Sequence, residues 1–165
     1  LQCTIANGFR WQTFLAKSKV RNLVFKRTVG SHADWHGLGI LLKSHRLDHL
    51  TMANCSFASE LTFTKVVRFT HVGPTDDATL QKLADALRSE YNLLREISIQ
   101  YSPGIKTILM PAWQDRRCRL WRLVIHARTD DDLPHIGALL KTFEDHRMLK
   151  AINDAAIRGL DDTDD

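Results

Sequence analysis

The chain has 165 residues, 44% hydrophobic and 25% charged, with a formal net charge of +4 and a pI of about 9.1. Such a composition suits a globular chain with one cooperative core, and no apolar run approaches the length that crosses a bilayer. Lys and Arg are scattered while Asp gathers at 130–132 and 161–165, so charge alone does not favour nucleic acid over protein as the partner.

Three cysteines, Cys3, Cys55 and Cys118, include no Cys-x-x-Cys pair. They point away from a disulfide framework or zinc ribbon and toward an intracellular, reducing compartment, cytoplasmic or nuclear rather than secreted.

Taken in order, Thr4-Ile5-Ala6-Asn7 matches Thr51-Met52-Ala53-Asn54, so Cys3 and Ile5 read as the end of a strand that begins before Leu1. Trp11 to Lys17 is a linking segment with room for one helical turn. Val20, Leu23 and Phe25 make the next strand. Ser31 is a plausible N-cap for a helix to Lys43, with Trp35, Leu38, Leu41 and Leu42 on its apolar side.

The stretch from Arg46 to Phe57 shows the pattern most clearly. Leu50 and Met52 point to one face of a strand and His49 and Thr51 to the other, while Asn54 suits a bend. Phe57 to Lys65 is too short for a full helix. Val66 and Phe69 open the next strand, with His71 a weak third position. Thr75 to Arg88 reads as a capped amphipathic helix with Leu80, Leu83, Ala84 and Leu87 on one face, followed by a strand through Leu94, Ile97 and Ile99.

From Ser102 to Arg117, Pro103, Gly104 and Pro111 interrupt helix formation and predict an irregular crossing. Leu120, Leu123 and Ile125 form a further strand. A helix starts near Asp131, with Pro134 in its first turn and Ile136, Leu139, Leu140 and Phe143 buried. Leu149 to Ile152 reads as a last strand, Ala155 to Leu160 as a closing turn, and residues 161–165 as an acidic disordered tail.

The strands share a Leu-x-x-Leu-x-Leu template whose first positions are Val20, Leu47, Val66, Leu94, Leu120 and Leu149. Most of the steps between them fall in the 20–29-residue range of one repeat class. The pattern resembles the leucine-rich repeat, and the helix-then-strand order resembles its ribonuclease-inhibitor-like subclass. The resemblance implies an α/β solenoid with a curved parallel sheet on the concave side and helices and irregular crossings on the convex side. It covers residues 1–160 as a single domain of about six repeats, the first truncated, in a fragment of a longer solenoid. The same alternation of strands and helices also fits an ordinary α/β domain.

Candidate chemistry is sparse. His32 and His36 stand four apart, the spacing of two ligands on a helix face, but with no evident third ligand they read as solvated histidines. His45 and His49 share that spacing across a loop and a strand. Cys55 paired with a histidine would be a nucleophile candidate, yet a buried structural cysteine accounts for it better. Gly37-Leu38-Gly39 lies in an apolar helix without the context of a phosphate loop. These features predict no enzyme, no cofactor and no metal.

Function then rests on the outward positions of the strands: Arg21, His49, Arg68, Arg95, Glu96, Trp121 and Arg122, joined by neighbours such as Asn22, Asp48 and Lys150. Trp and Arg carry binding hot spots more often than other residues, and Trp121 stands out. The resemblance implies a protein-interaction scaffold or recognition module, such as the substrate-recognising part of an F-box adaptor whose F-box lies before Leu1. The alternative is a structural subunit of a large assembly, in one version an assembly that contains RNA, with the arginines on phosphate.

Overall fold

The computed structural model describes residues 2–3, 19–26, 32–55 and 60–161. The element order is β1 (Gln2–Cys3), β2 (Asn22–Lys26), α1 (His32–Leu42), β3 (Leu47–Ala53), β4 (Val66–Val72), α2 (Asp77–Arg88) and β5 (Glu96–Gln100). A π-helical turn (Ile105–Leu109), α3 (Met110–Trp113), β6 (Arg122–His126), a 3-10 turn (Asp130–Asp132) and α4 (Leu133–Asp161) complete it.

The fold is α/β, with one six-stranded sheet in the order β1-β2-β3-β4-β5-β6 and every neighbouring pair parallel. Alternation along the strands sorts side chains onto two faces. Leu23, Leu50, Phe69, Ile97 and Leu123 stand side by side in register and are buried. Phe25, Met52 and His71 form a second inward row, continued on the next strands by Ile99 and Ile125.

The helices supply the other half of this core: Trp35, Leu38 and Leu42 from α1, Leu80, Leu83 and Leu87 from α2, and Ile136, Leu139 and Phe143 from α4. Phe25 meets Trp35 edge-on at 5.3 Å, and Trp113 meets Phe143 likewise at 5.7 Å. No helix among the described residues is long and apolar enough to cross a membrane.

Local chemistry explains the turns. Asn54 takes φ 52°, the left-handed conformation that Asn tolerates better than most residues, and its N–H donates to Val72 O at 2.8 Å. Asp76 caps α2 by accepting from the Thr79 N–H at 2.7 Å. At the other end of α2 the buried Asn92 donates to the carbonyls of Leu87 and Ser89 at 3.0 and 2.9 Å, satisfying terminal acceptors that the helix cannot.

Two expectations need correction. The Ser102–Arg117 crossing is helical over Ile105–Leu109 and Met110–Trp113. Pro103 precedes the π-helical turn, and Pro111 stands at the start of Met110–Trp113, where the helical spacing changes, so neither proline stops the helical run.

Leu149 to Ile152 is not a strand, and Ala155 to Leu160 is not a closing turn; both lie within α4. A Leu-x-x-Ile step fits helix and template equally. No proline interrupts this stretch, and Leu149 is 58% exposed. The Trp11–Lys17 segment, Ile5 and residues 162–165 lie outside the described residues.

Candidate interaction surfaces on the sheet

Opposite the core, the outward side chains form rows across the sheet. In one row Asn22, His49, Arg68, Glu96 and Arg122 are register partners. In the next, Val24, Thr51, Thr70, Ser98 and Val124 are. Each of strands β2–β6 supplies an outward residue because its neighbour in sequence is anchored inward.

Four predicted residues, His49, Arg68, Glu96 and Arg122, come together and line a shallow depression of about 390 Å³ with Thr70, Ser98, Val124 and His126. Glu96 is its electrostatic centre. Arg68 Nε lies 3.3 Å from one carboxylate oxygen and Arg122 Nη1 3.8 Å from the other, and both guanidinium groups remain more than half exposed.

His49 Nε2 lies 3.0 Å from Thr70 Oγ1 and 3.3 Å from Thr51 Oγ1, and His126 Nε2 lies 2.8 Å from Ser98 Oγ. Partial burial, with help from the Arg68 charge, lowers the pKa of His49 below that of a free imidazole, against an opposing pull from Glu96. His49 therefore favours its neutral form.

Arg21, Arg95 and Trp121 lie elsewhere, where the chain enters the strands. The carbonyl of Arg21 accepts from both Asp48 and His49 N–H at 2.7 and 3.1 Å, and the carbonyl of Arg95 accepts from both Trp121 and Arg122 N–H at 2.9 and 3.2 Å. These shared acceptors set the residue before each outward row apart at the strand-entry edge. Arg21 donates to Arg46 O at 3.2 Å. Arg95 donates to the carbonyls of Asn92 and Leu94 and to the Asn92 side chain, and burial and then Arg119 lower its pKa.

Trp121 is 50% exposed. Lys150 is on α4, donating to the carbonyls of Arg116 and Cys118 at 3.2 and 2.6 Å.

Parallel topology also sorts charge, which the linear sequence hides. Lys19 and Arg21 precede β2, Arg46 precedes β3, Lys65 precedes β4, Arg95 precedes β5 and Arg119 precedes β6. All therefore gather at the entry edge. Asp76 and Asp77 after β4, and Asp130, Asp131 and Asp132 after β6, gather at the exit edge. Asp132 accepts from the N–H groups of Arg128 and Thr129 at 2.8 and 3.3 Å, bonds that depress its pKa.

The remaining described candidates make local contacts. Cys55 donates to Ala53 O at 3.4 Å, and burial raises the pKa of Cys118. His36 lies 3.6 Å from Glu60, and the His32 side chain is outside the described residues. His45 Nε2 lies 3.0 Å from Val20 O. Among the described residues no group of three or more His, Cys, Asp and Glu is placed to hold a metal ion. Compared with protein-family models, curated proteins and solved structures, the chain matches none.

Proposed function

We propose that the chain is a non-catalytic recognition module, a leucine-rich-repeat solenoid of the ribonuclease-inhibitor-like kind, that binds a partner protein inside the cell through the open face of its sheet. The observation that carries this reading is the row Asn22, His49, Arg68, Glu96 and Arg122, held in register opposite the helix-packed core. Strands adjacent in sequence and in space, with helical crossings behind them, support the solenoid.

The face suits protein recognition. Its two guanidinium groups are fixed by one carboxylate and keep donors turned to solvent, so a partner's acidic or carbonyl groups meet pre-oriented forks. Thr70 and Ser98 between them add hydroxyls at little conformational cost.

Site-specific photo-cross-linking tests the assignment. A photoreactive residue at Thr70 or Ser98 should cross-link one defined protein in native extract, and Arg68→Ala/Arg122→Ala should abolish that product while the chain stays folded. The same residue at Ala78, on the helical side, should not capture it. Equal capture from Ala78, or capture that ignores the arginine substitutions, would sink the proposal.

A further inference from the structure

The entry edge carries a second site. Beside β6 lies a depression of about 180 Å³ lined by Glu90, Arg116, Arg117, Arg119 and Lys150. Two of these cations are fixed in place. Arg117 is clamped on both Asp115 carboxylate oxygens at 3.2 Å, which holds that carboxyl at about 2. Lys150 is pinned by the carbonyls of Arg116 and Cys118. The side chains of Arg116 and Arg119 are exposed and make no hydrogen bond or ion pair among the described residues. Two unengaged guanidinium groups thus flank two positioned cations, with Glu90 the only acid in the lining.

At the same edge, two aromatic rings face solvent. Tyr91, in the loop entering β5, is 75% exposed, and Trp121, at the entry to β6, is 50% exposed. From these features we infer that the entry edge binds single-stranded nucleic acid, its phosphates on Arg116 and Arg119 and a base stacked on Trp121. Basic residues stand before successive strands, about 4.8 Å apart laterally. Arg46 is paired with Asp48 at 3.2 Å and Arg95 is turned onto Asn92 and Leu94, so the charge open to a ligand is concentrated at Arg116 and Arg119. A phosphodiester chain supplies anionic groups to such cations, and exposed aromatic rings serve its bases. An acidic protein would use the cations but has less need of the rings. The open face takes no part in this site, so the inference stands apart from the proposed protein partner.

Fluorescence anisotropy with a labelled single-stranded RNA of about 10 nucleotides provides the test, since one binding module spans roughly that length. The intact chain should bind at low salt and weaken steeply between about 50 and 200 mM. Arg116→Glu/Arg119→Glu should flatten the plot of log affinity against log salt by about 0.7 for each phosphate no longer neutralised. Trp121→Ala should cost about 5- to 150-fold while leaving that slope unchanged. Arg68→Ala/Arg122→Ala, on the open face, should bind RNA as the parent does. Thermal melts establish that each variant is folded, and the neutral pair Arg116→Ala/Arg119→Ala replaces the charge reversal if that one unfolds. Absence of RNA binding at low salt overturns the inference. So does competition by polyglutamate as strong as by RNA, with Trp121→Ala inert, which would assign the edge to an acidic protein.

Discussion

Trp121 and Arg122 are consecutive in the chain and donate their N–H groups to one acceptor, the Arg95 carbonyl, yet their side chains belong to different surfaces. Arg122 stands in the outward row against Glu96, while Trp121 lies at the strand-entry edge. Arg122→Ala should change stability by no more than about 0.5 kcal/mol and Trp121→Ala, whose ring is half covered, by about 1–3 kcal/mol. Their binding effects should separate: Trp121→Ala lowers RNA affinity and spares the cross-link from Thr70, and Arg122→Ala does the reverse. Parallel measurement of both readouts checks this, and loss of both by either variant would mean that the surfaces are one.

Two glycines of α1 should respond to alanine with opposite signs. Nothing lies within 4 Å of where a Cβ would stand at Gly37, so Gly37→Ala should gain up to about 1 kcal/mol from helix preference. At Gly39 a Cβ would collide with the Glu60 carbonyl oxygen, a backbone atom that cannot swing away. Gly39→Ala should therefore cost about 1–3 kcal/mol. Urea denaturation of the two variants decides the matter, and equal shifts would contradict the close approach of α1 to Glu60.

Burial of His71 predicts a pH dependence. It occupies an inward position with Nδ1 3.0 Å from Thr75 Oγ1, and burial, partly opposed by Asp76, lowers its pKa below 6.5. The folded state thus favours neutral imidazole, and its contribution is complete above the unfolded pKa of about 6.5. Stability should fall as pH drops below that value and level off once the folded-state pKa is passed. His49 acts in the same direction. His71→Leu should make the loss between about pH 7 and 5 smaller. The slope is the readout, since the variant also leaves the Thr75 hydroxyl unpaired. An unchanged slope would place the titration elsewhere.

The two faces of β3 should differ sharply. Leu50 is fully buried between Leu23 and Phe69, whereas Thr51 faces outward between Val24 and Thr70. Leu50→Ala should cost about 2–5 kcal/mol, and Thr51→Ala less than about 1 kcal/mol. Comparable losses by chemical denaturation would mean that the register is shifted by one residue.

Much of the strand pattern was legible because it depends on local alternation. Leu23, Leu50, Phe69, Ile97 and Leu123, matched by template, stand in one registered row. Even the weak match at His71 is an inward position, made tolerable by Thr75. Leu149 misled because its spacing to Ile152 serves helix and strand alike, and Pro111 because a proline can begin a turn as readily as end one.

On the candidate surface, His49, Arg68, Glu96 and Arg122 share the outward row, but Arg21, Arg95 and Trp121 do not. No side-chain pattern announces that two N–H groups will converge on the Arg21 or Arg95 carbonyl. The gathered charge of the entry edge was hidden for a different reason. Its residues are scattered in sequence and become neighbours only when parallel strands bring their starting points together.

The order of the sheet also bears on how the chain comes apart. Each strand pairs only with those just before and after it in sequence, so the contact order of the sheet stays low for a parallel architecture and no pairing awaits closure of the whole chain. Opening at the β6 side leaves the β2–β3–β4 ladders intact. Amide hydrogen exchange should consequently be graded, slowest in β3 and β4 and faster toward the last strand. Under a pulling force applied at the two ends, the chain should yield strand by strand.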